Sequence, residues 1–210
     1  MTQPRTLVIA TTNPHKVDEF RQLLAGAPYT LVSLTDLGVA QDVEETGETF
    51  EQNAVIKALA YADLTGLLTL ADDSGIEIDA LDGGPGVYSA RWLGSEVGYA
   101  ERNRLLSEMA AAQPEERRGA RYRCVIAIAL PAPRGLVGVT EGVFEGRIAT
   151  EPAGQGGFGY DPVFYVPEEG RTVGQMSADE KARISHRAKA ARAALPLLAR
   201  LADDNGAAAR

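Results

Sequence analysis

The chain has 210 residues, of which 45% are hydrophobic and 24% are charged, a balance typical of a globular protein that buries a sizeable core. Its 29 acidic and 21 basic residues leave a formal charge of −8, which argues against a basic face for polymeric nucleic acid. One cysteine excludes an internal disulfide, and neither a leader pattern nor a long apolar stretch is present, which predicts a cytoplasmic protein without a membrane partner.

The first third of the chain alternates predicted strands and helices. In chain order we predict a strand at Thr6–Thr11, a helix from Pro14 to Gly26, a strand at Tyr29–Leu34, an acidic loop at Thr35–Glu48, a helix at Thr49–Gly66 and a strand at Leu67–Ala71. Asn13 is a good N-cap before Pro14, and Thr49 with Gln52 forms a capping-box pattern. Gly66 then supplies a helix stop.

The rest of the chain adds further strands and helices. We predict a turn at Asp72–Gly75, a half-buried strand at Ile76–Ala80, a loop at Gly83–Gly86, a helix at Gly98–Gln113, hairpin strands at Tyr122–Leu130 and Leu136–Phe144, a strand at Glu145–Thr150, a glycine-rich loop at Glu151–Pro162 and a helical region from Ser177 to about Leu201. Ser177 and Glu180 are expected to cap the start of that helical region. Pro196 is expected to kink or restart it, and the tail from about residue 203 to be frayed. The pattern predicts an α/β fold with a mixed, twisted central sheet flanked by helices.

Polar residues follow the first predicted strand at a strand-to-helix turn. Thr11 to Lys16 place hydroxyls and a lysine beside the positive end of a helix, where phosphate oxygens bind. The segment lacks the glycines of a Walker A loop. An ordinary helix cap with a surface lysine explains the same residues.

Carboxylates are concentrated in two places. Asp72 and Asp73 follow an apolar strand, and oxygen ligands of this kind suit Mg²⁺, which keeps waters and binds phosphates. A carboxylate from the segment Glu44–Gly47, just before the long helix, would complete the metal site, and Lys57 either reaches the same site or lies on the surface. Solvated acidic turns are the alternative interpretation.

A glycine-rich loop and a basic cluster complete the candidate segments. In Gly154–Pro162 the glycines allow close approach of a ligand, Phe158 and Tyr160 offer faces for stacking a base, and Asp161 is an acceptor. A flexible loop is the alternative interpretation. The basic cluster lies near the C-terminus and comprises Lys181, Ser185, His186 and Arg187. An ordinary charged helix face explains these residues as well as a ligand site does.

Taken together, these segments resemble the RdgB/HAM1 family of inosine/xanthosine triphosphate pyrophosphatases. The segments TTNPHK, EETGETFEQNAVIKA, ADDSG, PGVYSARW, EPAGQGGFGYDPVF and EKARISHR stand in that family's order and spacing, from about Leu7 to Leu201. The main departure is Thr12, where many relatives carry glycine. The resemblance implies one domain over residues 1–210, two lobes with the active-site cleft between them, and a homodimer.

The resemblance also implies roles for individual residues. Asp73 matches the general base and a Mg²⁺ ligand, and Glu45 matches a second ligand. The implied substrate contacts are Thr11, Thr12, Asn13, Pro14, His15, Lys16, Ser74, Phe158, Gly159, Tyr160, Asp161, Lys181, His186 and Arg187.

The implied reaction cleaves ITP, dITP or XTP between the α and β phosphorus atoms, giving a monophosphate and pyrophosphate and so cleansing the nucleotide pool. Asp73 acts directly or through a metal-bound water, with Asp72 as the fallback base, while Lys16 and Lys57 stabilise charge on the leaving pyrophosphate. The alternatives are another Mg²⁺-dependent phosphohydrolase, such as a phosphomonoesterase, and a non-catalytic nucleotide sensor.

Overall fold

The computed structural model describes residues 5–207, with side chains described as far as Asp203. The strands are β1 (Thr6–Ile9), β2 (Thr30–Ser33), β3 (Leu68–Ile78), β4 (Gly119–Leu130), β5 (Gly135–Ile148), β6 (Phe164–Val166) and β7 (Arg171–Thr172). The helices are α1 (Pro14–Leu23), α2 (Phe50–Thr65), α3 (Tyr99–Ala111), α4 (Ala178–Ile184) and α5 (His186–Ala207). Among these described residues, no helix combines the length and apolarity needed to span a membrane.

The strands form a mixed sheet, as predicted. Their order is β2-β1-β3-β4-β5-β6-β7. β1 runs parallel to β2 and to β3, whereas β6 pairs antiparallel with β5 and with β7. The short strands β6 and β7 have no counterpart among the predicted elements, because two or three residues are too few for an alternating pattern to be recognised.

Three helix starts follow the predicted capping chemistry. The Asn13 side chain accepts hydrogen bonds from two backbone N–H groups at the start of α1. The capping box of Thr49 begins α2, which ends at Gly66 in a left-handed conformation (φ 69°). Ser177 and Glu180 form the same reciprocal box at α4. These ends were predictable because each depends on residues two to four positions apart.

The chain forms two compact units, each with its own core. Unit 1 comprises the described residues up to Asp73, together with Cys124–Gly142 and the chain from Arg187 onward; unit 2 comprises Ser74–Arg123 and Val143–His186. The core of unit 1 includes Leu7, Ile9, Phe20, Leu70, Cys124, Ile126, Ala190, Ala194 and Leu198. The core of unit 2 includes Ile76, Leu106, Tyr122, Phe144, Tyr160 and Phe164.

The predicted turn at Asp72–Gly75 is wrong, because β3 runs unbroken from Leu68 to Ile78 through all four residues. Asp, Ser and Gly favour turns when the chain is considered locally. Here Lys16 and Arg187 lie beside Asp72, so cations from distant parts of the chain compensate the buried carboxylate. The acidic pair therefore lies within a strand rather than after one.

The C-terminal helical region is divided at Ser185. This residue has an extended backbone (ψ 161°) between α4 and α5, so Lys181 and Ser185 do not share one helix face. Pro196 lies inside α5 without ending it. The stripe of α5 residues in the unit 1 core, which includes Ala194 and Leu198, explains why one lost backbone hydrogen bond does not end the helix. Residues 208–210 of the predicted frayed tail lie outside the described residues, and the single-domain assignment stays a prediction.

Candidate functional site

The turn between β1 and α1 is organised by its own side chains. Thr11 Oγ1 accepts from the Asn13 N–H at 3.2 Å, and Asn13 Oδ1 accepts from the N–H groups of His15 and Lys16 at 3.0 and 3.4 Å. Pro14 is the first helical residue, and Thr12 is exposed. Lys16 Nζ lies 2.9 Å from Asp72 Oδ2, so the turn delivers its lysine to the acidic pair of β3.

Asp72 is held as a carboxylate by cations. It is 2% exposed, and Arg187 Nη2 lies 3.5 Å from the oxygen that Lys16 contacts. Burial alone raises the pKa of Asp72, but the charges of Lys16, Arg187 and Lys57 together outweigh it and hold that pKa well below its ordinary value. Asp72 therefore has little affinity for a proton, which disfavours it as the fallback base.

Asp73 has different surroundings, because adjacent side chains of a strand point to opposite faces. Asn53 Nδ2 donates to Asp73 Oδ2 at 3.1 Å, and Lys57 Nζ lies 3.6 Å from Asp73 Oδ1. The same ammonium lies 2.5 Å from Glu45 Oε1. Both Asn53 and Lys57 project from α2, one turn apart. Unit 1 thus brings Glu45, Lys57 and Asp73 together. Of the two alternatives that the sequence leaves open for Lys57, the structure has the one in which its ammonium lies beside the acidic side chains.

Two further observations concern the fit of a divalent cation. Burial, with the charge of Glu45, raises the pKa of Asp73 although Lys57 opposes this. One ammonium, that of Lys57, faces the two carboxylates of Glu45 and Asp73. Within residues 5–203, no group of three or more His, Cys, Asp or Glu side chains forms a metal centre. Two carboxylates with the remaining positions left to water and phosphate match the ligand habits of Mg²⁺. The donor set therefore fits that ion.

Asn53 and Glu19 were missed by the sequence analysis. Asn53 is fully buried, and its Oδ1 accepts from the Gly47 N–H at 2.8 Å, which ties the loop before α2 to Asp73. Glu19, on α1, pairs with the buried guanidinium of Arg187. Asn53 could have been found from its spacing, since it precedes Lys57 by four positions and so lies on the same face of the predicted helix. Nothing in the sequence near Glu19 indicates that it pairs with Arg187.

In unit 2, Asp161 organises the glycine-rich loop. It is 2% exposed; its Oδ2 accepts from the Phe158 N–H at 2.8 Å and from Lys181 Nζ at 2.7 Å. Its Oδ1 accepts from the hydroxyl of Tyr122 at 3.1 Å. Gly157 has φ +69°, and a Cβ there would lie 1.9 Å from Asp161 Oδ2. This loop therefore needs glycine where the backbone passes the carboxylate, and Asp161 has most of its acceptor capacity occupied.

The two aromatic residues of the loop differ in exposure. Phe158 is half-buried, with Lys181 Nζ 4.5 Å from its ring centroid. Tyr160 is 3% exposed, and its hydroxyl donates to the Ser89 carbonyl at 2.8 Å. Phe158 is therefore the aromatic side chain with surface left for a ligand, and Tyr160 anchors the loop to the core.

Tyr122 is a further residue that the sequence analysis missed. Its ring stacks on His186 with centroids 4.6 Å apart, and its hydroxyl holds Asp161. Its position within an apolar strand gave only a core signal. Unit 2 thus brings Phe158–Asp161, Lys181 and His186 together around one buried tyrosine, while Ser74 lies half-buried in β3. Arg187, the next residue after His186, belongs to unit 1 with Asp72.

Comparison with known proteins gives a consistent result. The model of the Ham1 family matches residues 7–197. A dITP/XTP pyrophosphatase of Symbiobacterium thermophilum is 53% identical over 90% of this chain and 92% of its own length. One from Desulforamulus reducens is 48% identical, covering 93% of this chain and 96% of the relative. The solved structure of a HAM1 protein from Coxiella burnetii has a TM-score of 0.82 and 41% identity, over 93% of this chain and 99% of that one.

Proposed function

The chain belongs to the Ham1 family, and from that premise we propose that it hydrolyses non-standard purine nucleoside triphosphates to the monophosphate and pyrophosphate. The substrates are ITP, dITP and XTP, and the effect is to cleanse the nucleotide pool. The observation that carries the proposal is the arrangement of Glu45 and Asp73 around Lys57, beside the turn that carries Lys16. Acidic and cationic groups of this kind serve phosphoanhydride cleavage.

Unit 1 supplies the groups for the triphosphate. Mg²⁺, held by Glu45 and Asp73, neutralises phosphate charge when bound. Asp73 accepts the proton of the water that attacks the α-phosphorus, so the bond between that phosphorus and the bridging oxygen breaks and pyrophosphate leaves. Lys16 and Lys57 stabilise the charge that develops on the leaving group. Asp72 orients Lys16 and stays ionised throughout.

Unit 2 supplies the groups for the base. Hypoxanthine and xanthine carry a carbonyl at position 6, whereas adenine carries an amino group there. The donors on this side are Lys181, His186 and, within the loop, the backbone N–H groups of Gly159 and Tyr160, since those of Phe158 and Asp161 already donate within the loop. Such donors satisfy a carbonyl and leave an amino group unpaired. Half-buried Phe158 stacks on the ring. Sites built on such pairing discriminate by about 10⁴-fold or more.

The proposal is tested by incubating the protein separately with ITP, XTP, dITP, GTP and ATP, with Mg²⁺ or with a chelator, and separating the products chromatographically. We expect the monophosphate and pyrophosphate in equal amounts from ITP, dITP and XTP, and none with the chelator. Release of orthophosphate would instead support a phosphomonoesterase, and tight binding of ITP without turnover a nucleotide sensor. Light scattering of the same preparation tests the proposed homodimer, and cell fractionation the proposed cytoplasmic location.

A further inference from the structure

The helix α3 carries a buried amide that the proposed chemistry does not use. Asn103 is 5% exposed, and its Nδ2 donates a 3.0 Å hydrogen bond to the carbonyl oxygen of Gly159, 56 residues further along the chain. Gly159 lies inside the Phe158–Asp161 segment. Since a buried amide or carbonyl is costly to leave unpaired, this bond fixes the loop and the helix to each other.

A second contact from the same helix face supports the first. Tyr99 lies one turn before Asn103, and its ring meets the ring of Tyr160 edge-on, with centroids 5.2 Å apart. α3 therefore touches two consecutive residues of the loop. Gly159 has φ +69°, and glycine moves readily between this backbone conformation and others. The hydrogen bond from Asn103 to its carbonyl oxygen therefore limits the backbone motion of Phe158–Asp161 at its glycine.

We propose that Asn103 is a positioning residue, which holds Phe158–Asp161 in the conformation that receives the purine. The inference rests on the proposed function, since it assumes that this segment binds the base. Asn103 acts through Gly159, whereas the groups proposed to bind phosphate belong to unit 1. Loss of its amide therefore weakens recognition of the base and leaves recognition of pyrophosphate unchanged.

The test measures the inhibition constants of IMP and of pyrophosphate against ITP hydrolysis for the wild type and for Asn103→Ala. We expect the inhibition constant of IMP to rise about 2- to 12-fold, the range for one net hydrogen bond, while that of pyrophosphate and kcat stay constant. The matched control is Ser107→Ala, one turn later on α3. Ser107 is also buried, and its hydroxyl has no hydrogen-bond partner among residues 5–203, so both inhibition constants should keep their wild-type values.

An unchanged inhibition constant for IMP, or a parallel rise for both inhibitors, would overturn the role of Asn103. If Asn103→Ala does not fold, the inference is tested instead by the same two inhibition constants for Asn103→Ser and by amide hydrogen exchange of the wild type. IMP, but not pyrophosphate, should then slow exchange in α3 and in Phe158–Asp161 together, and protection of the loop alone contradicts the inference. A wild type that neither cleaves ITP nor binds IMP refutes the proposed function, whereas an active wild type with an indifferent Asn103→Ala refutes only this inference.

Discussion

Replacing Lys181 by methionine is expected to destabilise the protein strongly through Asp161. The lysine lies 2.7 Å from a carboxylate that is 2% exposed, and its own side chain is 9% exposed, so solvent screens the pair little. The variant leaves Asp161 with hydrogen bonds from Phe158 and Tyr122 but without this cation. Breaking a buried pair in this way costs about 3–5 kcal/mol. For a chain of this length, that cost lowers Tm by roughly 6–20 °C.

A double variant distinguishes the effect of the unpaired charge on Asp161 from the effect of losing the lysine side chain. In the double variant Asp161→Asn/Lys181→Met the buried charge is gone, while the amide oxygen still accepts from the Phe158 N–H, so we expect stability to recover by about 2 kcal/mol or more relative to Lys181→Met. Chemical denaturation, followed by circular dichroism, measures the free energy of unfolding of the single and the double variant. Arg104→Met, which removes the exposed pairs with Glu101 and Glu108, is the matched control and should change nothing measurable. A double variant no more stable than Lys181→Met would refute the reasoning.

Three further predictions concern chemistry. Asp73→Asn should keep the wild-type Tm and lose most pyrophosphate release; near wild-type kcat removes Asp73 from the mechanism. If the donors of unit 2 bind the base as proposed, they leave the amino group of adenine unpaired, so ITP should exceed ATP in kcat/KM by about 10⁴-fold in a competition assay. Equal values would contradict this account of selectivity. Cys124 is fully buried, and burial raises the pKa of its thiol, so the native protein should resist a thiol reagent at pH 8 and react once denatured; rapid labelling of folded protein contradicts this packing.

Features that depend on nearby residues were predictable from the sequence. The caps at Asn13, Thr49 and Ser177 and the helix stop at Gly66 each depend on a few neighbouring positions, and all four are confirmed. The mixed sheet follows from the order of strands and helices. Local chemistry is sufficient for such features because the partners are adjacent in the chain.

Features that depend on distant partners were not predictable. Asp72 looks like a turn residue until Lys16, 56 positions away, and Arg187, 115 positions away, are placed beside it. Tyr122 resembles any other strand residue until Asp161 meets its hydroxyl. In both cases tertiary contacts decide the environment of a side chain whose immediate neighbours carry no information about it. The roles of the individual site residues stay predictions.

The alternation of side chains along β3 has a consequence for mutational tolerance. Asp72 and Asp73 are covalent neighbours, yet one is neutralised by lysine and arginine while the other lies with Asn53 and Glu45. A library of substitutions across these two codons should therefore divide into two phenotypes, with loss of soluble protein at the first and loss of turnover in well-folded protein at the second. Substitutions that change the stability of the protein and substitutions that change its turnover are thus expected on opposite faces of β3.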